Sequence, residues 1–356
     1  MNIAINGRFL TQPKTGVQRV ALEMLRYLAE EDAVGRVDVL VPANGNIGEE
    51  YVLPENCNLV RCGRFSGKIW EQIELPWVSR KYHWLINFCN QSPVISANSV
   101  LYIHDAQVFL FPNTYSFAFR WWYRLSLPLM ARSAKRVITV SRYSRDTLAY
   151  AGVTKSKSVD VIPNGNEHLT RKRGGTLAKD LPGVIRHPYA LVVGSLVAHK
   201  NLKVLFDAAA SGNWPLKLVV AGAVDKSVYA GDSPLSEISG VHFVGRVSDV
   251  QLLALYERAT MFLSPSLFEG FGLPVLEACQ FRIPVLCSDI PIYRELFESG
   301  VEFVDPHSPE AWSKAVKYAF SNTELMSQNA ELAYADTRKY SWRSSSSRLL
   351  SILQEA

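Results

Sequence analysis

Two carboxylates, Glu269 and Glu277, lie eight residues apart and bracket the segment Gly270-Phe271-Gly272-Leu273-Pro274. An apolar run, Met261–Leu263, precedes this segment and an apolar stretch suited to a helix follows it, so it reads as a strand-to-helix turn. Gly270 and Gly272 have no Cβ and let backbone approach a ligand closely. Pro274 suits the first turn of a helix, where its missing N–H costs nothing. The amides of Phe271, Gly272 and Leu273 then sit at a helix N-terminus, where the helix dipole reinforces anion binding. The spacing lets the two carboxylates bracket one extended ligand, with phosphates between them. A second feature points the same way. Lys200 stands just before a helix expected to start near Asn201. A cation there opposes the helix dipole, a placement that makes sense beside a bound anion. A hydroxyl at Ser195 can donate one further hydrogen bond to phosphate.

These residues need strands and helices to place them, and the apolar pattern supplies both. Ile3–Ile5 reads as a buried strand. Val17–Ala29 carries apolar residues at helical spacing, and Arg36–Val41 is a second strand. A helix around 69–80, strands near 84–88 and 100–104, a long helical region near 115–133 and a strand at 137–140 follow. After Val161-Ile162-Pro163-Asn164-Gly165 comes a polar, basic stretch to Pro188, and then a second series of strands near 190–194, 216–221, 241–244, 261–263, 285–287 and 301–304. Strands alternating with helices predict an α/β protein with two doubly wound parallel sheets. The expected domains are 1–168 and 169–341, with a C-terminal helix at 342–356 packing back on the first. Ligands in such sheets bind at the carboxyl ends of the strands.

Composition narrows the classes. A chain of 356 residues, 48% hydrophobic and 20% charged, is expected to be globular with two domains. No apolar run reaches the roughly 18–20 residues of a spanning helix, and the N-terminus lacks the pattern of a secretion signal. The five cysteines form no C-x-x-C pair, so a reducing, cytoplasmic setting is expected, with neither disulfides nor a zinc site. Residues 1–168 carry 19 Lys/Arg against 14 Asp/Glu, whereas the remainder carries 19 of each. The N-terminal half is therefore expected to meet something anionic. Residues 106–145 hold seven Lys/Arg and no Asp/Glu, and Phe117, Phe119, Trp121, Trp122 and Tyr123 interleave with Arg120 and Arg124. That mixture suits an anionic membrane surface, which gives a peripheral location on the inner face of the cell membrane. No motif of nucleic-acid recognition is present.

The Glu269–Glu277 segment resembles the E-x7-E signature of retaining glycosyltransferases of family 4, which have the two-Rossmann GT-B fold. The resemblance extends to Leu191–Leu202, similar to the family's strand-loop-Lys-Asn motif, to Val161–Gly165, to Ile103-His104-Asp105, and to Thr15–Arg19, similar to its first glycine loop. It implies two domains facing across a cleft and transfer of a sugar from a nucleoside-diphosphate donor to a glycan or polyprenyl-diphosphate-linked glycan in polysaccharide assembly, with no metal or other cofactor. Mannose from GDP-mannose is the expected donor; a UDP- or dTDP-sugar and a non-catalytic sugar-nucleotide scaffold are the alternatives. By resemblance, Lys200 holds the donor pyrophosphate, His104, at a strand end, contacts the donor sugar, Glu269 holds sugar hydroxyls and Glu277 holds the ribose. Gly16 either lets backbone meet the β-phosphate or makes a plain turn. The base is expected near Val247 and Asp249, where Asp249 either starts a helix or accepts from guanine. Many family members carry Arg where this chain has Ser195; His199 or Arg19 are the candidates to replace it. The acceptor is expected at Arg61–Glu74 and Asn87–Ser92. A nicotinamide dehydrogenase is disfavoured, because Asn6-Gly7-Arg8-Phe9 offers no G-x-G-x-x-G.

Overall fold

The structure, a computed structural model, describes residues 1–172, 188–210, 214–223 and 240–355. Most of the polar stretch expected between the domains, residues 173–187, lies outside the described residues. The chain forms two compact units: Met1–Gly165 with Tyr340–Ala356, and Asn166–Lys339.

The first unit opens with β1 (Asn2–Asn6), α1 (Gly16–Leu28), β2 (Arg36–Pro42) and β3 (Cys57–Cys62). A helical segment at 67–81 leads to β4 (Trp84–Asn87), β5 (Ser99–Tyr102), α2 (Phe117–Ser133), β6 (Arg136–Thr139) and β7 (Val159–Val161). All seven strands are parallel, in the order β3-β2-β1-β4-β5-β6-β7. Central strands covered on both faces are continuous apolar runs, and β1, β2, β4 and β5 are buried along almost their whole length. The edge strands β3 and β7 gave no such signal. Half of β3 faces solvent and β7 is three residues long, so neither presents an apolar run.

The segment at 67–81 departs from the expected single helix. It starts as an α-turn at Gly67–Ile69, widens into a π-turn at Trp70–Glu74, returns to α at Leu75–Val78 and closes as a 3-10 turn at Ser79–Lys81. Pro76 explains the widening. It has no N–H, and its ring crowds the carbonyl one turn back, so the Leu75 amide reaches Trp70 O instead.

The second unit contains β8 (Tyr189–Val193), α3 (Leu202–Ala210), β9 (Lys217–Ala221), β10 (Val241–Gly245), α4 (Asp249–Arg258), β11 (Met261–Ser264), α5 (Leu273–Gln280), β12 (Val285–Ser288) and β13 (Val301–Val304). Its six strands are parallel, in the order β10-β9-β8-β11-β12-β13. Buried Trp312 and Met326, from the helices that follow β13, join Leu205, Leu218 and Leu263 in its core. In both sheets the chain runs outward from a central strand and then returns to that strand's other side. The order therefore reverses at β1/β4 and at β8/β11, and each reversal opens a crevice at the carboxyl ends of the strands.

The last helix, α6 (Trp342–Glu355), packs on α1, where Ser347 Oγ donates to Glu31 Oε1 at 2.8 Å. The chain passes between units at Gly165/Asn166, three residues before the expected 168. The reason is local: Asn166 Nδ2 donates to Thr337 O at 3.3 Å, and His168 also bonds within the second unit. A Cβ at Gly165 would lie 2.2 Å from the Trp342 backbone nitrogen. Gly165→Ala is therefore expected to destabilise the first unit by about 1–3 kcal/mol, the usual cost of overpacking. Urea denaturation would show this as a lowered midpoint, and an unchanged midpoint would contradict the contact.

Candidate functional site

The second unit's site is built at the β8/β11 reversal. After β8 the chain makes a 3-10 turn at Ala198–Lys200 and then places Asn201 in the left-handed region, with φ of 54°. Asparagine tolerates that conformation better than most side chains. Its amide then binds two neighbouring loops, donating to Pro265 O at 3.1 Å and Pro306 O at 2.7 Å. The Leu267 amide donates to His199 O at 2.8 Å. The loops after β8 and β11 are thus fastened together, and Lys200 meets Glu269 across them.

Lys200 Nζ donates to Glu269 Oε1 at 2.5 Å, and Ser266 Oγ donates to the same oxygen at 2.7 Å. Burial pushes the Glu269 carboxyl up, but Lys200 and the Ser266 hydroxyl together outweigh it and hold the group below its ordinary range. Glu269 is therefore ionised, and its Oε2 remains for a ligand hydroxyl. His199 lies alongside, with its pKa lowered to about 4 by burial and then by Lys200. It is neutral near pH 7.

Gly272 precedes α5 with φ of 84°, and a Cβ there would come within 2.6 Å of the Tyr293 ring. Both conditions require glycine. Val275 and Leu276 direct their amides to Gly272 O, so the Gly272 and Leu273 amides precede the first intrahelical bond of α5. Phe271 beside them is buried.

Glu277, expected to hold the ribose, already has two donors within the protein. It is 4% exposed, Oε1 accepts from His168 Nε2 at 2.8 Å and Oε2 accepts from Tyr256 Oη at 2.8 Å. A carboxylate in an apolar setting needs such donors, and any hydroxyl that Glu277 accepts from shares it with them. His168 and Tyr256 are the residues that sequence reasoning missed. Neither belongs to a local motif, and only the fold brings them to Glu277. Ser266, three residues before Glu269, had a local signal in its spacing.

The remaining expected positions divide between the units. Ser195 is exposed in the loop after β8. Val247 is half-buried before α4, and Asp249 is the first residue of that helix, where a carboxylate suits the dipole. Ser248, not Asp249, is the N-cap, in a reciprocal box with Gln251. In the first unit Gly16 is the first residue of α1, and a Cβ there would meet nothing within 4 Å. His104 does not end a strand: β5 stops at Tyr102. The His104 amide turns to Asn90 Oδ1 at 2.8 Å, which places the residue in the loop. Among the described residues, no group of three His, Cys, Asp or Glu side chains is placed to hold a metal ion.

The comparisons with known proteins agree with this architecture. Residues 14–167 match the model described as "Glycosyltransferase Family 4", and residues 184–336 match the one described as "Glycosyl transferases group 1". The O-antigen chain mannosyltransferase RfbU of Salmonella typhimurium is 26% identical over 313 residues, covering 83% of this chain and 84% of the relative. O-antigen chain mannosyltransferase B of Escherichia coli is 25% identical over 260 residues, covering 68% of this chain and 67% of the relative. The crystal structure of Anabaena HepE in complex with UDP and glucose superposes with a TM-score of 0.72 at 16% identity, covering all of both chains. That likeness shows the fold, two Rossmann-like units of the GT-B class.

His104 gives the first unit a pH signature. Its Nε2 donates to Phe88 O at 2.6 Å, since a carbonyl can only accept, which leaves Nδ1 as an acceptor. Burial lowers its pKa to about 4, against a weaker opposing effect of the Phe88 bond, so it is neutral near pH 7. Between about pH 6.5 and pH 4 the unfolded chain takes up a proton at this position and the folded chain does not. Stability then falls on acidification, by on the order of 3 kcal/mol for one such group across the whole window. Urea unfolding at pH 7 and pH 5 is expected to show this loss, and His104→Asn is expected to reduce the slope. A slope identical in the variant would contradict the buried neutral ring.

Proposed function

This chain belongs to the family 4 glycosyltransferases, and from that premise we propose that it moves mannose from GDP-mannose, with retention of configuration, to a glycan or polyprenyl-diphosphate-linked glycan in polysaccharide biosynthesis. The observation that carries the reading is the Lys200–Glu269 contact beside the start of α5. Negative charge grows on the departing diphosphate in the transition state. The Lys200 ammonium, the first-turn amides of α5 and the helix dipole are the groups that would stabilise it, because they are held in place before charge develops. Oε2 of Glu269 is proposed to accept from sugar hydroxyls and Glu277 from the ribose. No carboxylate is assigned as a covalent nucleophile, so the reading is front-face attack with the leaving phosphate accepting the acceptor's proton. The mannosyl relatives support the sugar, and Asp249 can accept from the two N–H groups on the guanine edge. A second reading, a UDP-sugar donor, is supported by the UDP bound in the HepE structure and by the helix-start position of Asp249, which needs no base to explain it.

A thermal-shift and donor-hydrolysis screen across GDP-, UDP- and dTDP-sugars, run with a chelator present, separates these readings. GDP-mannose is expected to give the largest shift. Lys200→Ala is expected to lower donor or transition-state binding by roughly 2–4 kcal/mol, through loss of a charge-assisted contact. If no nucleotide sugar bound, or if Lys200→Ala turned over normally, the transferase reading would fail.

We also propose that the first unit works on an anionic membrane surface. Among the described residues no helix is long and apolar enough to cross a membrane. Four side chains one turn apart on α2, Phe117, Trp121, Leu125 and Leu129, are nevertheless 48–68% exposed. Ile69, Ile73 and Trp77 repeat that spacing along the neighbouring helical segment, Phe65 lies just before it, and the four are 49–72% exposed. Arg64, Lys68, Arg120 and Arg124 flank these stripes. Apolar stripes edged by cations suit the headgroup region of an anionic bilayer. The protein is expected to float with phosphatidylglycerol vesicles at low salt, and Trp77→Ser with Trp121→Ser to reduce flotation several-fold. Absence from the vesicle fraction at low salt would count against the surface.

A further inference from the structure

We propose that Arg8 and Lys68 form a subsite for the phosphate or diphosphate group of a lipid-borne acceptor, an inference that rests on the transferase reading above. The first sheet's order reverses at β1/β4, the place where a parallel sheet binds ligands. Arg8 follows β1 in the 3-10 turn Gly7–Thr11, and Gln91 follows β4. The helical segment at 67–81 brings Glu71 onto Arg8 and sets Lys68 within electrostatic reach of both.

Glu71 is 2% exposed and fully committed. Arg8 Nη1 donates to its Oε2 at 2.5 Å, and Asn6 Nδ2 donates to its Oε1 at 2.7 Å. A buried carboxylate of this kind holds its donors in fixed positions, since losing either leaves it uncompensated. It neutralises one cation only. Lys68, one turn earlier on the same segment, supplies a second. Its Nζ lies over the Trp122 ring, 4.3 Å from the centroid, and Trp122 Nε1 donates to Gln91 Oε1 at 3.0 Å. Among the described residues no ion pair engages the Lys68 ammonium. Its partial burial and then the charge of Arg8 lower its pKa, and Glu71 offsets them only in part. The three charged groups sum to +1, and an anion set between the two cations removes their repulsion. Arg8 keeps guanidinium N–H groups beyond the one used on Glu71, and Lys68 keeps three N–H donors, a set suited to phosphate oxygens.

The surroundings show what carries the anion. Lys68 directly precedes Ile69 of the exposed apolar stripe, and Trp122 directly follows Trp121 of the other. A soluble sugar phosphate has no use for those stripes. A phosphate ester on a lipid chain uses both: the head meets the cations, and the chain lies along the apolar side chains or in the bilayer they rest on.

The test is isothermal titration of the full chain with farnesyl diphosphate, inorganic pyrophosphate and farnesol, in wild type, Lys68→Glu, Arg8→Lys and Lys200→Ala. Farnesyl diphosphate is expected to bind wild type, to bind Lys68→Glu at least ten-fold more weakly, and to bind Lys200→Ala as it binds wild type. Much of the Lys68 surface is exposed, and a urea midpoint equal to that of wild type confirms that Lys68→Glu is folded. Arg8→Lys keeps a cation beside Glu71 and is expected to give an intermediate loss. Equal binding by wild type and Lys68→Glu overturns the subsite. Loss of binding in Lys200→Ala also overturns it, because the diphosphate is then using the donor site. Pyrophosphate binding as tightly as farnesyl diphosphate overturns the lipid assignment and points to a free phosphate. These titrations need no turnover. A protein that binds farnesyl diphosphate through Lys68 but binds no nucleotide sugar refutes the transferase reading alone; one that binds a nucleotide sugar but ignores Lys68→Glu refutes this subsite alone.

Discussion

A lysine held against a carboxylate at the reversal of a parallel sheet is the constraint from which the second unit's site follows. Bringing a Lys ammonium into a partly buried loop is costly unless an opposite charge meets it. Glu269 meets Lys200, and Ser266 steadies Glu269. For this to happen, the loops after β8 and β11 must be adjacent, which the strand order β8-β11 guarantees, and they must be held in register. Asn201 does the second, because its left-handed backbone turns its amide onto the carbonyls of the neighbouring loops.

The first unit repeats the arrangement with different residues. Its sheet reverses at β1/β4, and a cation after the first strand, Arg8, pairs with a buried carboxylate, Glu71. The parallel is one of sheet geometry. A doubly wound sheet leaves a crevice where its order reverses, and a crevice lined by loop backbone and strand ends suits charged ligands. The two sites differ in what surrounds them. The second unit offers the N-terminus of α5 and buried acids, in keeping with the proposed nucleotide. The first offers a second cation, an indole and exposed apolar stripes, in keeping with the proposed amphiphile.

The strands that form the middle of each sheet were legible because burial on both faces leaves a continuous apolar run. The edge strands β3 and β7 were not, because an edge strand can be short or half-polar and still pair. The turn at Gly272 was legible for a steric reason: a glycine ahead of a proline at a strand-to-helix junction has few other uses, and the Tyr293 ring occupies the space of a Cβ. The pairing of Lys200 with Glu269 joins residues 69 positions apart and was not legible as a contact, although each residue was singled out for its own chemistry. His168 and Tyr256 lay further out of reach. Their role depends on Glu277 being buried, and burial depends on how α4 and the start of the second unit pack. The widened turn at Trp70–Glu74 was hidden as well, although Pro76 marks its cause.

The pairing of Lys200 has a consequence for how the proposed site would hold a diphosphate. A lysine joined to a carboxylate is close to neutral as a unit, so the pair by itself draws an anion weakly. Its value lies in direction. One N–H of the ammonium is spent on Glu269, and the other two are fixed in orientation without further loss of side-chain freedom. The Gly272 and Leu273 amides are fixed in the same way by the backbone, and the α5 dipole adds partial positive charge with no counter-ion of its own. Such a site discriminates by geometry more than by net charge. It would favour an anion that offers oxygens to several fixed donors at once, as a diphosphate can and a lone carboxylate cannot. The same reasoning would let Glu269 keep its place beside the proposed anion: its charge is offset by Lys200 and Ser266 at Oε1, and Oε2 is left for a hydroxyl.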